Sequence, residues 1–419
     1  MTRRLPGRSR SARTGRAELA LTATFLLVVT AVFVVVAVVS YQALRSGEAD
    51  GPSSLPPLAV EGPEETVFDY TQDACSPIDI PDAPARAFRD AQDRVHLIAS
   101  HYVTRAMTGP TLDEVRHDCR LVMKSDLDAD PARFSDREWI TSPWTPDGRT
   151  VYALVHNEHQ GDKHAGQCPS GVYLKCWYNS ITLARSSDGG RTFRQPPPPR
   201  HLIAAVPYRY QPDAGPVGIF QPSNVVHRTD DGHWYALVHS AAFGEQREGT
   251  CVMRTANLDD PGSWRAWDGV AYRVRFANPY ESSGTGGHIC SPVAFEDIVG
   301  MTHSLTYNTY LDKYVLVSPA GRDGPGRGGA VWGFYYSTSD DLIDWSPRRL
   351  IREVTLTTSF ECGDPNPAFF PSLLDPDSPS RNFETTGRRP YLYFTRFHYK
   401  DCNSTLNRDL VRVRVRFSK

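Results

Sequence analysis

Short apolar runs separated by polar turns follow one another along most of this chain. The most complete copy begins at Phe220 and has four runs, at residues 221–226, 234–239, 251–254 and 270–274. The first two runs are rich in aromatic and β-branched residues and flank an Asp-Asp-Gly turn at 230–232, which predicts a β-hairpin. The copy as a whole predicts four antiparallel strands.

The same pattern recurs four more times. The runs that match the second strand lie at residues 95–99, 151–155, 314–317 and 391–394. A four-strand pattern repeated about every 50 to 65 residues is typical of a propeller. Five copies therefore predict an all-β fold, a five-bladed β-propeller of four-stranded antiparallel blades.

The last blade shows only three runs, the final one ending at Phe417, whereas an early run at residues 66–70 has no blade of its own. An unpaired strand edge invites aggregation. We therefore expect the early run to supply the missing fourth strand and to close the ring.

Two turns carry recognisable motifs. Residues 186–193 read S-S-D-G-G-R-T-F and match the Asp-box of sialidases, in which the aspartate caps hairpin N–H groups and glycines adopt positive φ. Residues 337–345 read S-T-S-D-D-L-I-D-W and resemble a turn of the five-bladed glycoside hydrolases of families 43 and 32. The resemblance covers most of residues 80–417, and it implies a propeller that acts on carbohydrate.

The N-terminus differs in character from the rest. Six arginines fall within the first 16 residues, and residues 19–41 then form an uncharged apolar run. As a helix rising about 1.5 Å per residue, this run can cross a hydrocarbon core of about 30 Å. The chain is thus predicted to have a basic tail at 1–17, a signal-anchor helix at 18–42, a Pro/Ser/Gly-rich linker at 43–65 and a propeller at 66–419. The positive-inside rule predicts that the helix lies in the cell membrane with the tail on its cytoplasmic side and the propeller on its extracytoplasmic side. A cleaved signal peptide ending near Ser40 is the alternative.

The cysteines indicate the redox compartment of the protein, and its net charge restricts the class of partner. All eight cysteines follow the apolar run, and an even number in an exported segment predicts disulfides. Cys168 and Cys176 are expected to bridge locally, whereas the other pairings stay open. A net charge of -2 with scattered basic residues argues against nucleic acid as a partner.

Alternating strand directions place the polar residues at certain strand ends on one face around the axis. Sugar hydrolysis needs two carboxyl groups with different pKa values. The catalytic candidates on this face are Asp82, Glu158, Glu361 and Asp364. Glu158 and Asp364 are the favoured candidates for the proton donor. The substrate-binding candidates are Arg86, His101, His156, His159, Gln221, Asn224, His239, Glu281, His288, Arg396 and His398.

The family 43 resemblance implies a role for Asp82, which lies near the proline that opens the first blade and so corresponds to the general base. The family's general acid corresponds to Gln221, which is not acidic. Asp82 is equally consistent with a turn cap, and His156 and His239 with packing residues. A metal at His156, Glu158 and His159 is disfavoured because strand neighbours face opposite sides. No metal is assigned, and a structural or axial ion such as calcium stays open.

The sequence thus favours a membrane-anchored extracytoplasmic glycoside hydrolase that acts on a poly- or oligosaccharide. A non-catalytic propeller that binds glycan or protein is the alternative from a different class. A sialidase ranks third, since it requires three arginines around a carboxylate and a tyrosine nucleophile.

Overall fold

Antiparallel strands make up most of the regular structure in the computed structural model, which describes residues 57–282, 284–323, 330–360 and 362–418. Within these ranges the α-helices are single turns, α1 (Tyr70–Asp73) and α2 (Phe295–Ile298), and no helix has the length and apolar character needed to cross a bilayer. The all-β class is confirmed. The predicted tail (1–17), signal-anchor (18–42) and linker residues 43–56 lie outside the described residues.

By pairing, the strands form four sheets of four, ten, five and four strands. The ten-stranded sheet consists of two antiparallel groups joined by one short strand that pairs with both, so the strands can be taken in five successive units. The chain enters with β1 (Leu58–Phe68), and the first unit contains β2 (Arg86–Arg89), β3 (Val95–Ile98), β4 (Val103–Gly109) and β5 (Arg116–Lys124). The second contains β6 (Arg137–Trp144), β7 (Val151–Gln160), β8 (Trp177–Ser186) and β9 (Leu202–Ala204). After β10 (Val217–Phe220), the third contains β11 (Val226–Arg228), β12 (His233–Ser240), β13 (Gly249–Thr255) and β14 (Arg265–Trp267).

The remaining strands complete the fourth and fifth units. Following β15 (Tyr272–Val274), the fourth unit contains β16 (Ser304–Asn308), β17 (Lys313–Asp323), β18 (Ala330–Ser339) and β19 (Arg349–Glu353). The fifth contains β20 (Ala368–Leu374), β22 (Tyr391–Phe397) and β23 (Arg408–Phe417), with β21 (Thr385–Thr386) pairing in parallel with β16. The fourth strand of the third unit is β14, so the prediction of that strand at 270–274 was wrong; this run is β15, an added fifth strand.

The first described strand completes the last unit. β1 pairs antiparallel with β23, with Leu58 opposite Phe417 and Phe68 opposite Leu410. The expectation that the early run supplies a fourth strand is confirmed. The strand begins at Leu58, however, so the predicted linker boundary at residue 65 was wrong. Only Leu58 and Phe68 of this strand are buried, and its Gly, Pro and Glu residues made it read as a polar tether.

Five apolar clusters lie between successive units. Representative buried pairs are Phe88 and Ala153 between the first and second units, Leu183 and Ala236 between the second and third, Leu237 and Leu316 between the third and fourth, Val317 and Phe394 between the fourth and fifth, and Leu374 and Leu97 between the fifth and first. The fifth cluster packs the last unit against the first, so the succession of units closes on itself.

The Asp-box is a structural turn. Asp188 accepts hydrogen bonds from Thr192 through both the backbone N–H (2.9 Å) and the hydroxyl (2.7 Å). Gly189 and Gly190 have φ of 75° and 84°, a region that favours glycine. Phe193 is buried in the cluster between the first two units. The motif therefore stabilises the fold and contributes nothing to a site.

All eight cysteines are paired. The bridges are Cys75–Cys119, Cys168–Cys176, Cys251–Cys290 and Cys362–Cys402. The predicted local bridge is confirmed. It lies in the segment between β7 and β8, where it closes a short loop beside the candidate site.

Candidate functional site

All five units contribute side chains to one cavity of about 580 Å³. Its polar lining consists of Asp82, His101, His156, Glu158, Gln160, Gln221, His239, Thr302, His303 and Thr358. Its aromatic lining consists of Trp139, Tyr173, Trp177, Phe220, Phe369 and Phe370, and Gly300 completes it. Six of the predicted site residues therefore meet here: Asp82, His101, His156, Glu158, Gln221 and His239.

Asp82 lies in the loop before β2. One carboxylate oxygen forms an ion pair with Arg408 of β23, and the other accepts a hydrogen bond from the indole N–H of Trp139 (3.1 Å). The Nε2 atom of His101 lies 3.5 Å from that second oxygen. These partners are all side chains that converge on the carboxylate, so Asp82 is more than a turn cap.

Glu158 reaches the cavity because side chains alternate along β7. His156, Glu158 and Gln160 face the cavity, whereas His159 faces the other side of the sheet. Glu158 is 8% exposed, and its Oε2 accepts hydrogen bonds from Gln160 (2.7 Å) and from the Tyr173 hydroxyl (3.2 Å).

Burial sets the protonation of Glu158. Loss of solvent raises the pKa of its carboxyl from 4.5 to about 7, the hydrogen bond from Gln160 opposes that rise, and the negative charge of Asp82 adds to it. The two carboxyl groups of the cavity therefore differ in environment: one is buried among neutral donors, and the other is paired with an arginine. This is the arrangement that lets one group donate a proton near neutral pH.

The histidines of the cavity are neutral at pH 7. Burial lowers the pKa of His156 to about 4 and that of His303 to about 3, and it also lowers the pKa values of His101 and His239. The Nε2 atom of His156 donates to the side-chain oxygen of Asn179 (2.9 Å). The ring of His156, which lies in the middle of β7 rather than at the expected strand end, is thus fixed by a satisfied hydrogen bond.

Several buried polar atoms of the lining have no partner among the described residues. They are Nδ1 of His101, Nε2 of Gln221, Nδ1 of His239 and Nε2 of His303. A buried polar group left without a hydrogen bond costs about 1–3 kcal/mol. The cavity is therefore suited to a ligand with many hydroxyl groups, or to ordered water in its place.

Two predicted binding residues have structural roles instead. Arg86 is 2% exposed, and its guanidinium donates to the carbonyls of Thr141 (2.8 Å) and His303 and to the hydroxyl of Ser372 (3.1 Å). The side-chain oxygen of Asn224 accepts from the backbone of Leu305 (3.2 Å). Both side chains hold neighbouring units together, so their assignment to substrate binding was wrong.

In the fifth unit, predicted site residues bond to neighbouring residues of that unit and to β1 rather than lining the cavity. Arg396 forms an ion pair with Glu64 (2.5 Å). His398 lies between Asn366 (3.0 Å) and Asp409 (2.6 Å), and Asp364 accepts from the backbone N–H of Asn366 (2.8 Å). The cavity lining contains none of Asp364, Arg396 and His398. Glu361 lies outside the described residues.

The remaining predicted residues also lie elsewhere. Glu281 and His288 line a separate cavity of about 430 Å³ beside the third unit. The Nε2 atom of His159 contacts Oε1 of Gln167 (2.8 Å) on the face of β7 away from the cavity. A metal site made of His156, Glu158 and His159 is thus excluded by the strand alternation. Among the described residues, Asp136, His159 and His164 form a cluster that could hold a metal, and this cluster is outside the cavity lining.

Sequence reasoning missed the aromatic lining and four polar residues, Gln160, Thr302, His303 and Thr358. Gln160 continues the alternation along β7 that places His156 and Glu158 in the cavity, and His303 directly precedes β16, so both carried a positional signal. Tyr173 comes from the bridged segment before β8, which has no periodic pattern, and Trp177 directly follows that segment as the first residue of β8. Only the folded loop brings them to the cavity.

Three solved structures illustrate what the fold is similar to. A thermostable family-43 glycoside hydrolase is 9% identical, with 84% of this chain and 94% of that chain covered and a TM-score of 0.43. An α-L-arabinanase of Cellvibrio cellulosa is 10% identical, with 80% and 91% covered and a TM-score of 0.41. An exo-inulinase of Aspergillus awamori is 13% identical, with 83% and 64% covered and a TM-score of 0.44. No protein-family model and no curated protein sequence matches the chain.

Proposed function

We propose that this protein is a glycoside hydrolase in which Glu158 donates the proton to the leaving group and Asp82 acts as base or nucleophile. The observation that carries the proposal is the pair of unlike carboxyl groups in one cavity. Burial raises the pKa of Glu158 to about 7, so a large share of this group carries a proton at neutral pH. Asp82 is held as an ion pair with Arg408. Glycoside hydrolysis uses one protonated and one ionised carboxyl group.

The lining supports a sugar ligand. Aromatic rings from the second, third and fifth units offer apolar faces, and the unpartnered atoms of His101, Gln221, His239 and His303 offer hydrogen bonds. Small-molecule sites combine a mainly apolar wall with a few convergent polar groups. We propose a poly- or oligosaccharide as the substrate.

We also infer that the five units are the blades of a propeller with the cavity at its axis. The closed succession of apolar clusters and the contribution of every unit to the cavity support this count. Four disulfides are consistent with an exported domain, because such bonds persist in oxidising compartments. We propose that residues 18–42 anchor this domain in the cell membrane on its extracytoplasmic side; fractionation and protease accessibility of intact cells test that placement.

A binding protein without catalysis is the second candidate. Both oxygens of Asp82 already have partners, which also suits a carboxylate with a structural role. The sialidase alternative has lost its support, since no arginine is among the described residues that line the cavity.

Turnover separates the two candidates. The full-length protein in detergent is incubated with a panel of cell-envelope and plant oligosaccharides, and release of reducing sugar is measured alongside binding. Cleavage that disappears in Glu158→Gln and Asp82→Asn while binding remains supports the hydrolase. Binding of glycan with no product from the wild-type protein over the whole panel supports the binding module and refutes the hydrolase.

A further inference from the structure

Three potential metal ligands meet behind the cavity, on the opposite face of β7. Asp136 directly precedes β6, His159 lies on β7, and His164 follows the 3-10 turn Gly161–Lys163. One donor atom from each lies within 4.8 Å of the other two. Their side chains are 1%, 2% and 11% exposed, respectively, so the cluster is shielded from solvent.

Hydrogen bonding fixes which nitrogen of His159 carries a proton. The amide nitrogen of Gln167 donates to the carbonyl of Ala129 (2.7 Å), so its Oε1 faces Nε2 of His159 (2.8 Å) and accepts from it. In the neutral imidazole, Nδ1 is then left with a lone pair. That Nδ1 is buried without a hydrogen-bond partner and lies 3.7 Å from Oδ2 of Asp136.

A lone pair that faces a carboxylate oxygen is unfavourable because both atoms are hydrogen-bond acceptors, and 3.7 Å is in any case too long for a hydrogen bond. A cation bound between Nδ1 of His159 and Oδ2 of Asp136 would attract both atoms and so replace their repulsion by attraction. Two ligands that bind one tetrahedral zinc ion at about 2.0–2.2 Å lie about 3.4 Å apart. The Asp136 oxygen is 3.7 Å from His159 and 2.8 Å from Nε2 of His164, so small shifts would bring both distances to that spacing.

We propose that Asp136, His159 and His164 bind one divalent metal ion of the zinc class, with a fourth position open to water. Two histidines and a carboxylate are an ordinary ligand set for such ions. Gln167 would orient His159 from the outer shell, as metal-bound histidines require. Asp136 is itself held by a backbone hydrogen bond to Asn157 Oδ1 (3.0 Å). Two other clusters with suitable atoms, around Cys75 and Cys168, are excluded because their cysteines are in disulfides.

The position of the cluster indicates what the metal would do. His164 begins the segment that continues through the Cys168–Cys176 bridge and carries Tyr173, whose hydroxyl donates to Glu158. A metal joining His164 to β6 and β7 would fix one end of this segment. It would thus act as a positioning element for the cavity, with no direct contact to the substrate.

Metal titration tests the site without reference to activity. The full-length protein, free of affinity tags and stripped with a chelator, is titrated with Zn²⁺ by calorimetry and with Co²⁺ by visible absorption. We expect one equivalent of Zn²⁺ and the strong bands of tetrahedral Co²⁺. Gln167→Ala should weaken binding about 10- to 100-fold, the usual cost of losing an outer-shell partner, and His164→Asn should weaken it further.

Two control variants locate the ion. His233→Asn removes a histidine that lies 3.6 Å from Asp231 but has no third ligand among the described residues, and it should bind Zn²⁺ like the wild type. His239→Asn alters the cavity and should also still bind one equivalent of Zn²⁺. Wild-type protein that binds no Zn²⁺ would overturn the proposal, as would loss of binding in His239→Asn with retention in His164→Asn. Because Gln167→Ala leaves all three ligands in place, unchanged Zn²⁺ affinity in this variant would also count against the site.

Discussion

Replacing Glu158 by glutamine tests the proposed proton donor most directly. The substitution keeps the size and the hydrogen-bond acceptor of the side chain but removes the titratable proton. Glu158 is 8% exposed, and burial raises its pKa to about 7. Loss of a general acid costs about 10²- to 10⁴-fold in rate.

The pH dependence gives a sharper expectation than the rate alone. A proton donor with a pKa near 7 must be protonated to act, so kcat/KM of the wild type should fall about tenfold per pH unit above pH 7. In Glu158→Gln the residual activity should lose this alkaline limb.

Glu158→Gln should lower the activity but raise the stability of the protein at alkaline pH. The carboxyl group titrates near 4.5 when unfolded and near 7 when folded. Below pH 4.5 both states are protonated and burial carries no ionisation cost. Between pH 4.5 and 7 the unfolded state ionises while the folded state stays protonated, so the stability of the wild type falls, by up to about 3 kcal/mol once the pH has passed 7. Glu158→Gln should therefore be the more stable protein at pH 8, and the two should converge near pH 4.5.

Glu138→Gln is the matched control. Glu138 lies on the neighbouring strand β6, is 2% exposed and has a pKa raised to about 8 by burial, but it is not part of the cavity lining. Its replacement should raise stability at alkaline pH and leave the pH–rate profile unchanged. If Glu158→Gln kept the wild-type alkaline limb, or if Glu138→Gln removed it, Glu158 would not be the proton donor.

Three other substitutions test the cavity and the core. Asp82→Asn should lower kcat about 10²- to 10⁴-fold in steady-state assays, whereas Asp364→Asn, outside the cavity lining, should not; the reverse pattern would refute the assignment. Trp177→Ala should raise KM about tenfold, equivalent to about 1.4 kcal/mol, with a smaller change in kcat, and an unchanged KM would exclude ring contact with the substrate. Phe394→Ala, fully buried between the fourth and fifth units, should destabilise the protein by about 3–5 kcal/mol in urea unfolding, and a loss below 1 kcal/mol would contradict that packing.

The repeated pattern of apolar runs was enough to predict the strands and one part of the cavity. β7 shows why: its alternation places His156 and Glu158 on one face, and that prediction needs only local geometry. His239 at the end of β12 follows from the same rule. Information that is periodic along the chain could therefore be read from the sequence.

Predictions in the fifth unit failed for a non-local reason. The strand-end rule places a residue near a face but does not say which partner its side chain will meet. Arg396 meets Glu64, a residue of β1 that lies more than 300 positions away in the chain. Arg86 meets backbone carbonyls of other units where the chains crowd together. The local sequence around Arg396 and Arg86 predicts neither contact.

The pairing of β1 with β23 has a consequence for biosynthesis. Leu58 emerges from the ribosome long before its neighbour Phe417, because the two residues lie more than 300 positions apart in the chain. The pairing can form only after β23 has been made, and until then the exposed edge of β1 is open to wrong pairing. A stop codon before residue 408 would remove β23, and we expect such truncated chains to aggregate because β1 would stay unpaired.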